Sequence, residues 1–134
     1  MEIRDLLMMC VEKKASDLHL TEGEPPILRI DGKLYRTGGE VFKREDLKRV
    51  IYSFMTYVQK DIFEQKQELD FSIALPGLDR FRVNIHMQRG AVEAAFRRVP
   101  ARIPSPEELG LPPIAIELAR RPNGLVLVLS LIHI

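Results

Sequence analysis

The chain has 134 residues, 46% apolar and 29% charged, which fits one soluble domain with a proper core. A formal net charge of +1 excludes a global electrostatic pull toward nucleic acid or an anionic membrane. The lone cysteine excludes an internal disulfide, and the acid-bearing start and the lack of a ~20-residue apolar run predict a cytoplasmic protein with no membrane insertion.

Ile3, Leu6, Leu7, Cys10 and Val11 recur at helical spacing and predict an amphipathic helix over 2–14, with Cys10 a buried thiol. In "ASDLHL", Leu18 and Leu20 alternate with Asp17 and His19 as in a strand. "ILRIDGKLYR" places Asp31-Gly32 between two strand-like runs, a hairpin signal. Leu47, Val50, Ile51, Phe54 and Met55 predict a helix over 44–55. Thr56 and Gln59 then form a capping box that starts a new helix over 57–67. Residues 69–75 alternate as a strand, and Pro76-Gly77 turns the chain. "RFRVNIHMQ" alternates without error, and after Arg89-Gly90 the segment "AVEAAFRRV" returns as its partner strand.

From Pro100 to Pro113 five prolines mark a linker, in which Ser105, Pro106 and Glu108 can start one helical turn or two. A short helix over 114–120 follows. After Asn123-Gly124, Leu125 to Leu129 read as a buried strand. The fold class is α+β: a mostly antiparallel sheet with helices packed on one face, then a linker and the start of something else.

One constellation carries chemistry. In a two-residue hairpin about Arg89-Gly90, Arg82 falls opposite Arg97, with Arg80 two residues away on the same face; a one-residue slip would exchange Arg97 for Arg98. Like charges directly opposite destabilise a sheet by tenths of a kcal/mol to ~1. Three guanidiniums on one face have a purpose if an anion sits there, and phosphate matches the guanidinium fork best. The alternative is a solvated strand face balanced by acids such as Asp70 or Glu93. His86 falls opposite Glu93, as an ion pair or a proton-transfer pair. Asp17 and His19 share a strand face but have no third ligand, which favours a structural role over metal or acid–base work. His133 receives no role. No signature of a catalytic nucleophile is present.

Taken in order, "ASDLHL", "PPILRIDGKLYR", "RFRVNIHMQRGAVEAAFRRVP", "IPSPEELGLP" and "NGLVLV" resemble the N-terminal part of the PilT-type ATPases. These are the type IV pilus retraction (twitching motility) motors of the secretion ATPase superfamily. The resemblance runs over residues 1–128. It implies a PAS-like N-terminal domain over 1–99, an interdomain linker over 100–113 and the start of a RecA-like ATPase domain over 114–134. It further implies a homo-hexamer, ATP and Mg as cofactors, and an inner-membrane pilus platform protein as partner. Arginines of the N-terminal domain serve such motors as phosphate sensors or arginine fingers. By motif match that role falls to Arg82 and Arg97, and less firmly to Arg80.

Family sequences continue "GLVLV" into a phosphate loop, whereas here residues 129–134 form an atypical tail without the Gly, Lys and Ser/Thr of that loop. The chain is therefore expected to be inert alone. Two other readings stand beside this one: the same region of a pilus-assembly or type II secretion ATPase, and a free-standing PAS-like interaction module.

Overall fold

Helical spacing of apolar residues gives α1 (Ile3–Glu12), which buries Leu6, Leu7 and Cys10. The helix ends in a hydrogen-bonded reversal without a glycine. Lys14 takes φ 53°, its N–H donates to the Val11 carbonyl, and the Ala15 N–H donates to that of Cys10. That reversal aims the chain into β1 (Asp17–Leu20). The computed structural model describes residues 1–130.

Strands β2 (Ile27–Ile30) and β3 (Lys33–Arg36) form the expected hairpin. Asp31 and Gly32 both have positive φ, 49° and 78°, and the backbone twist of such a turn matches that of the strands it joins. Helix α2 (Arg44–Ser53) stops two residues short of its apolar pattern. The reason is Thr56, which must be extended to cap α3 (Tyr57–Lys66). Its hydroxyl accepts the Gln59 N–H at 3.2 Å, and the Gln59 side chain accepts the Thr56 N–H at 2.9 Å. Thr56→Ala removes one half of this exchange. The expected loss is about 1 kcal/mol, read from the urea midpoint; an unchanged midpoint would show that packing alone fixes α3.

Strands β4 (Glu68–Ala74), β5 (Arg80–Gln88) and β6 (Ala91–Val99) complete one antiparallel sheet of order β3-β2-β1-β6-β5-β4. Arg89 and Gly90 repeat the positive-φ turn, at 51° and 79°, and fix β5 and β6 in the register expected from sequence. The first strand of the chain thus lies beside the last one of the domain, a pairing that no local signal announces. All three helices pack on one face. Leu18, Leu20, Phe81, Val83, Ile85, Val92, Ala94 and Phe96 meet Leu6, Leu7, Leu47, Ile51 and Phe63 there.

Residues Met1–Ala101 form one compact unit, and a second begins at Arg102. Within the second, Ser105 and Glu108 exchange hydrogen bonds as a capping box, at 3.3 Å and 2.8 Å. Only a single turn follows, because Gly110 leaves the helical region at φ 68° and Pro112-Pro113 cannot continue a helix. Helix α4 (Pro113–Ala119) comes next. The expected buried strand over 125–129 is not formed: these residues are exposed and outside any sheet. A buried strand needs neighbours for its backbone groups and both its faces, and the second unit offers none among the described residues. Residues 131–134, including His133, lie outside the described residues. No helix among the described residues is long and apolar enough to cross a membrane.

Candidate functional site

The period of two that sends core residues to the helices sends the residues between them to the opposite face. The antiparallel register lines these up across strands. Arg29, Asp17, Arg97, Arg82 and Ser72 form one row across β2, β1, β6, β5 and β4. The next row runs Ile27, His19, Ala95, Asn84 and Asp70. Ala95 is the small residue at its centre. Over it lies a shallow depression lined by Asp17, His19, Asp70, Arg82, Asn84 and Arg97.

The electrostatics of this face turn on Asp17. Its side chain is 9% exposed, and its carboxylate accepts Arg97 Nε at 3.0 Å and the Ser16 hydroxyl at 2.8 Å. Arg29 Nε lies 3.6 Å away on the other side. Burial opposes the charge on Asp17, but the hydrogen bonds from Ser16 and Arg97 outweigh it and hold the carboxyl below its usual range. A partly exposed ion pair of this kind contributes up to about 1 kcal/mol, the same order as the repulsion between Arg97 and Arg82 across the strands. Asp17 therefore offsets the cost of placing Arg82 and Arg97 side by side. It does not cancel the charge of the row, which keeps three guanidiniums to one carboxylate.

Arg82 makes no ion pair among the described residues, and its side chain is exposed. Arg97 is bound through Nε alone, so the two terminal nitrogens of its fork have no protein partner among the described residues. His19 lines the same depression, and its buried Nε2 has no hydrogen-bond partner among the described residues. Burial holds its imidazole neutral, with a pKa below the usual value, despite the pull of Asp17. The chemistry available here is anion binding by paired guanidiniums. Among the described residues no group of three or more His, Cys, Asp or Glu side chains could hold a metal ion.

The comparisons with known proteins address the same region. No family model matches the chain. It is 38% identical over 128 residues to the type IV pilus retraction ATPase PilT of Pseudomonas aeruginosa, an alignment covering 96% of this chain and 37% of that protein. It is 35% identical over 127 residues to the type IV pilus ATPase PilU of the same organism, covering 95% and 33%. A crystal structure of the pilus retraction motor PilT with bound ADP superposes with a TM-score of 0.76 at 38% identity, over 90% of this chain and 36% of that one.

The chain corresponds to the N-terminal region of a PilT-type ATPase. It spans about a third of the length of the relatives it matches.

Within this PilT-type region Arg82 and Arg97 stand opposite each other, as the hairpin argument requires. Arg80 lies on the same face but borders a separate depression with Ala74, Leu78 and Val99. Of the acids considered as balance, Asp70 lines the arginine depression, where it accepts Asn84 Nδ2 at 3.1 Å. Glu93 is buried elsewhere, 3.7 Å from His86 Nε2 and accepting the Glu22 N–H at 3.3 Å. The residue that does hold Arg97 is Asp17, 80 positions away in sequence. Cys10 is buried, and desolvation raises its pKa to about 11, so it remains a neutral thiol at pH 7.

The suppressed titrations of this PilT-type region carry a stability prediction. Burial makes His19 take up its proton at a lower pH in the folded state than in the unfolded chain, where it does so near pH 6.5. The unfolded state then binds more protons, so stability falls as pH drops below about 6.5. Asp17 adds a second loss at lower pH, when its carboxylate is protonated. Urea midpoints measured between pH 7 and 5 should decline, and His19→Gln should flatten that decline. An equally steep decline in the variant would assign it to other groups.

Proposed function

We propose that this region is the N-terminal domain of a hexameric type IV pilus retraction ATPase. In this reading its arginine face supplies Arg82 and Arg97 to the phosphates of an ATP bound by a RecA-like domain. The carrying observation is an exposed pair of opposed arginines, one without an ion-pair partner among the described residues, in a chain 38% identical to PilT over 128 residues. That the superposed PilT structure contains ADP supports a nucleotide as the anion. Arg80 stands further from the pair and contributes to the field of the face rather than to direct contact.

ATP and Mg are the cofactors of the full-length protein, and the sequence of these 134 residues offers no phosphate loop with which to bind them. A polypeptide of these residues therefore does not hydrolyse ATP by itself. The remaining partners in this reading are the other subunits of the ring and the inner-membrane pilus platform, met from the cytoplasmic side.

Genetic complementation distinguishes retraction from assembly. The full-length gene carrying this region should restore twitching to a piliated strain that lacks its retraction motor. Restoration of pili in a strain lacking its assembly motor, with no effect on retraction, would move the protein to the pilus-assembly branch.

A further inference from the structure

We infer that Asp17 is a positioning residue for Arg97: it grips the guanidinium by Nε so that the terminal nitrogens stay free for an anion beside Arg82. The inference rests on the proposed phosphate-binding role of this face and names the part that sets its geometry.

Three observations carry it. Asp17 and Arg97 are register partners on adjacent strands, so the carboxylate is delivered by β1 rather than by a mobile loop. Asp17 is itself fixed, being buried and bonded by the Ser16 hydroxyl at 2.8 Å on the oxygen that Arg97 does not use. The Arg97 side chain is 71% exposed and makes no other side-chain hydrogen bond among the described residues, so without Asp17 a long side chain would lose more rotamer entropy on binding an anion. A guanidinium held in advance loses less freedom when the anion arrives.

Electrostatics alone predicts the opposite behaviour. A carboxylate next to an anion site repels the anion, so removing its charge should tighten binding. Positioning and repulsion therefore give different results in one experiment. The Arg Nε–Hε signals of the 134-residue chain are followed by NMR while inorganic pyrophosphate is added, for wild type and Asp17→Asn.

In the wild type the Arg97 Hε proton should exchange with water at least tenfold more slowly than that of Arg82, and pyrophosphate should shift both signals. In Asp17→Asn the Arg82 shift should persist, while the Arg97 response falls at least threefold. If both arginines respond fully in Asp17→Asn, at lower pyrophosphate concentration, Asp17 is only a repulsive neighbour and the inference is overturned. If pyrophosphate shifts neither arginine in the wild type, the phosphate reading of the face fails and the inference fails with it. Should Asp17→Asn not fold, the wild-type exchange ratio decides: equal rates for Arg82 and Arg97 overturn the positioning role without any variant.

Discussion

Replacing Arg82 by Ala in a full-length PilT-type ATPase carrying this region should lower ATP turnover at least about 100-fold while leaving the unfolding midpoint unchanged. A guanidinium that meets transition-state charge on a transferring phosphoryl group is worth about 10³–10⁵ in rate where it acts as the finger. The lower bound allows Arg97 to retain part of the effect. Stability should not suffer, because Arg82 is exposed and makes no ion pair among the described residues. Its removal even relieves a like-charge contact with Arg97. Arg82→Lys should recover only part of the rate, since a point charge lacks the bidentate fork. Steady-state hydrolysis with a parallel urea titration checks both halves. Wild-type turnover in Arg82→Ala would remove this residue from the site.

Arg97→Ala is the less clean substitution. It deprives the buried Asp17 carboxylate of its 3.0 Å donor and leaves Arg29, at 3.6 Å, as the nearest cation. A buried acceptor left short of a partner costs about 1–3 kcal/mol, so lost turnover in that variant mixes catalysis with folding.

The second large effect concerns the core. Phe96→Ala should destabilise the 1–101 unit by about 3–5 kcal/mol, a large share of the ~5–15 kcal/mol that holds a domain together. Phe96 is fully buried on β6, between register partners Leu18 and Val83, with its ring 5.6 Å from that of Phe54. Tyr57→Ala is the matched control, since Tyr57 is 87% exposed and its loss should change stability by less than ~0.5 kcal/mol. Equal urea midpoints for the two variants would mean that the core lies elsewhere.

These two variants also separate what was legible in the sequence from what was not. Phe81, Val83 and Ile85 announce themselves by alternation, and a two-residue turn fixes the register of the strands it joins. The Arg82–Arg97 pairing therefore followed once Arg89-Gly90 was taken as a two-residue turn, and the structure selects it over the one-residue slip to Arg98. The capping box at Thr56 was equally local, and it bounded two helices at once. Asp17 was readable only as one side of a strand. Its partnership with Arg97 depends on β1 lying beside β6, and the period of a strand gives its face but not its neighbour. The acids proposed from sequence, Asp70 and Glu93, were those already close along the β4–β6 meander. The strand expected over 125–129 failed for a related reason. Apolar β-prone residues indicate that a strand can form, but pairing requires a neighbouring edge.

The central claim is that nucleotide phosphates meet the arginine face. A structure of the full-length protein with a non-hydrolysable ATP analogue tests it most directly. The account predicts a terminal nitrogen of Arg82 or Arg97 within about 3.2 Å of a phosphate oxygen in at least one subunit, with Arg97 Nε still on Asp17. A bound analogue whose phosphates are reached by no guanidinium of this face, in any subunit, would contradict it.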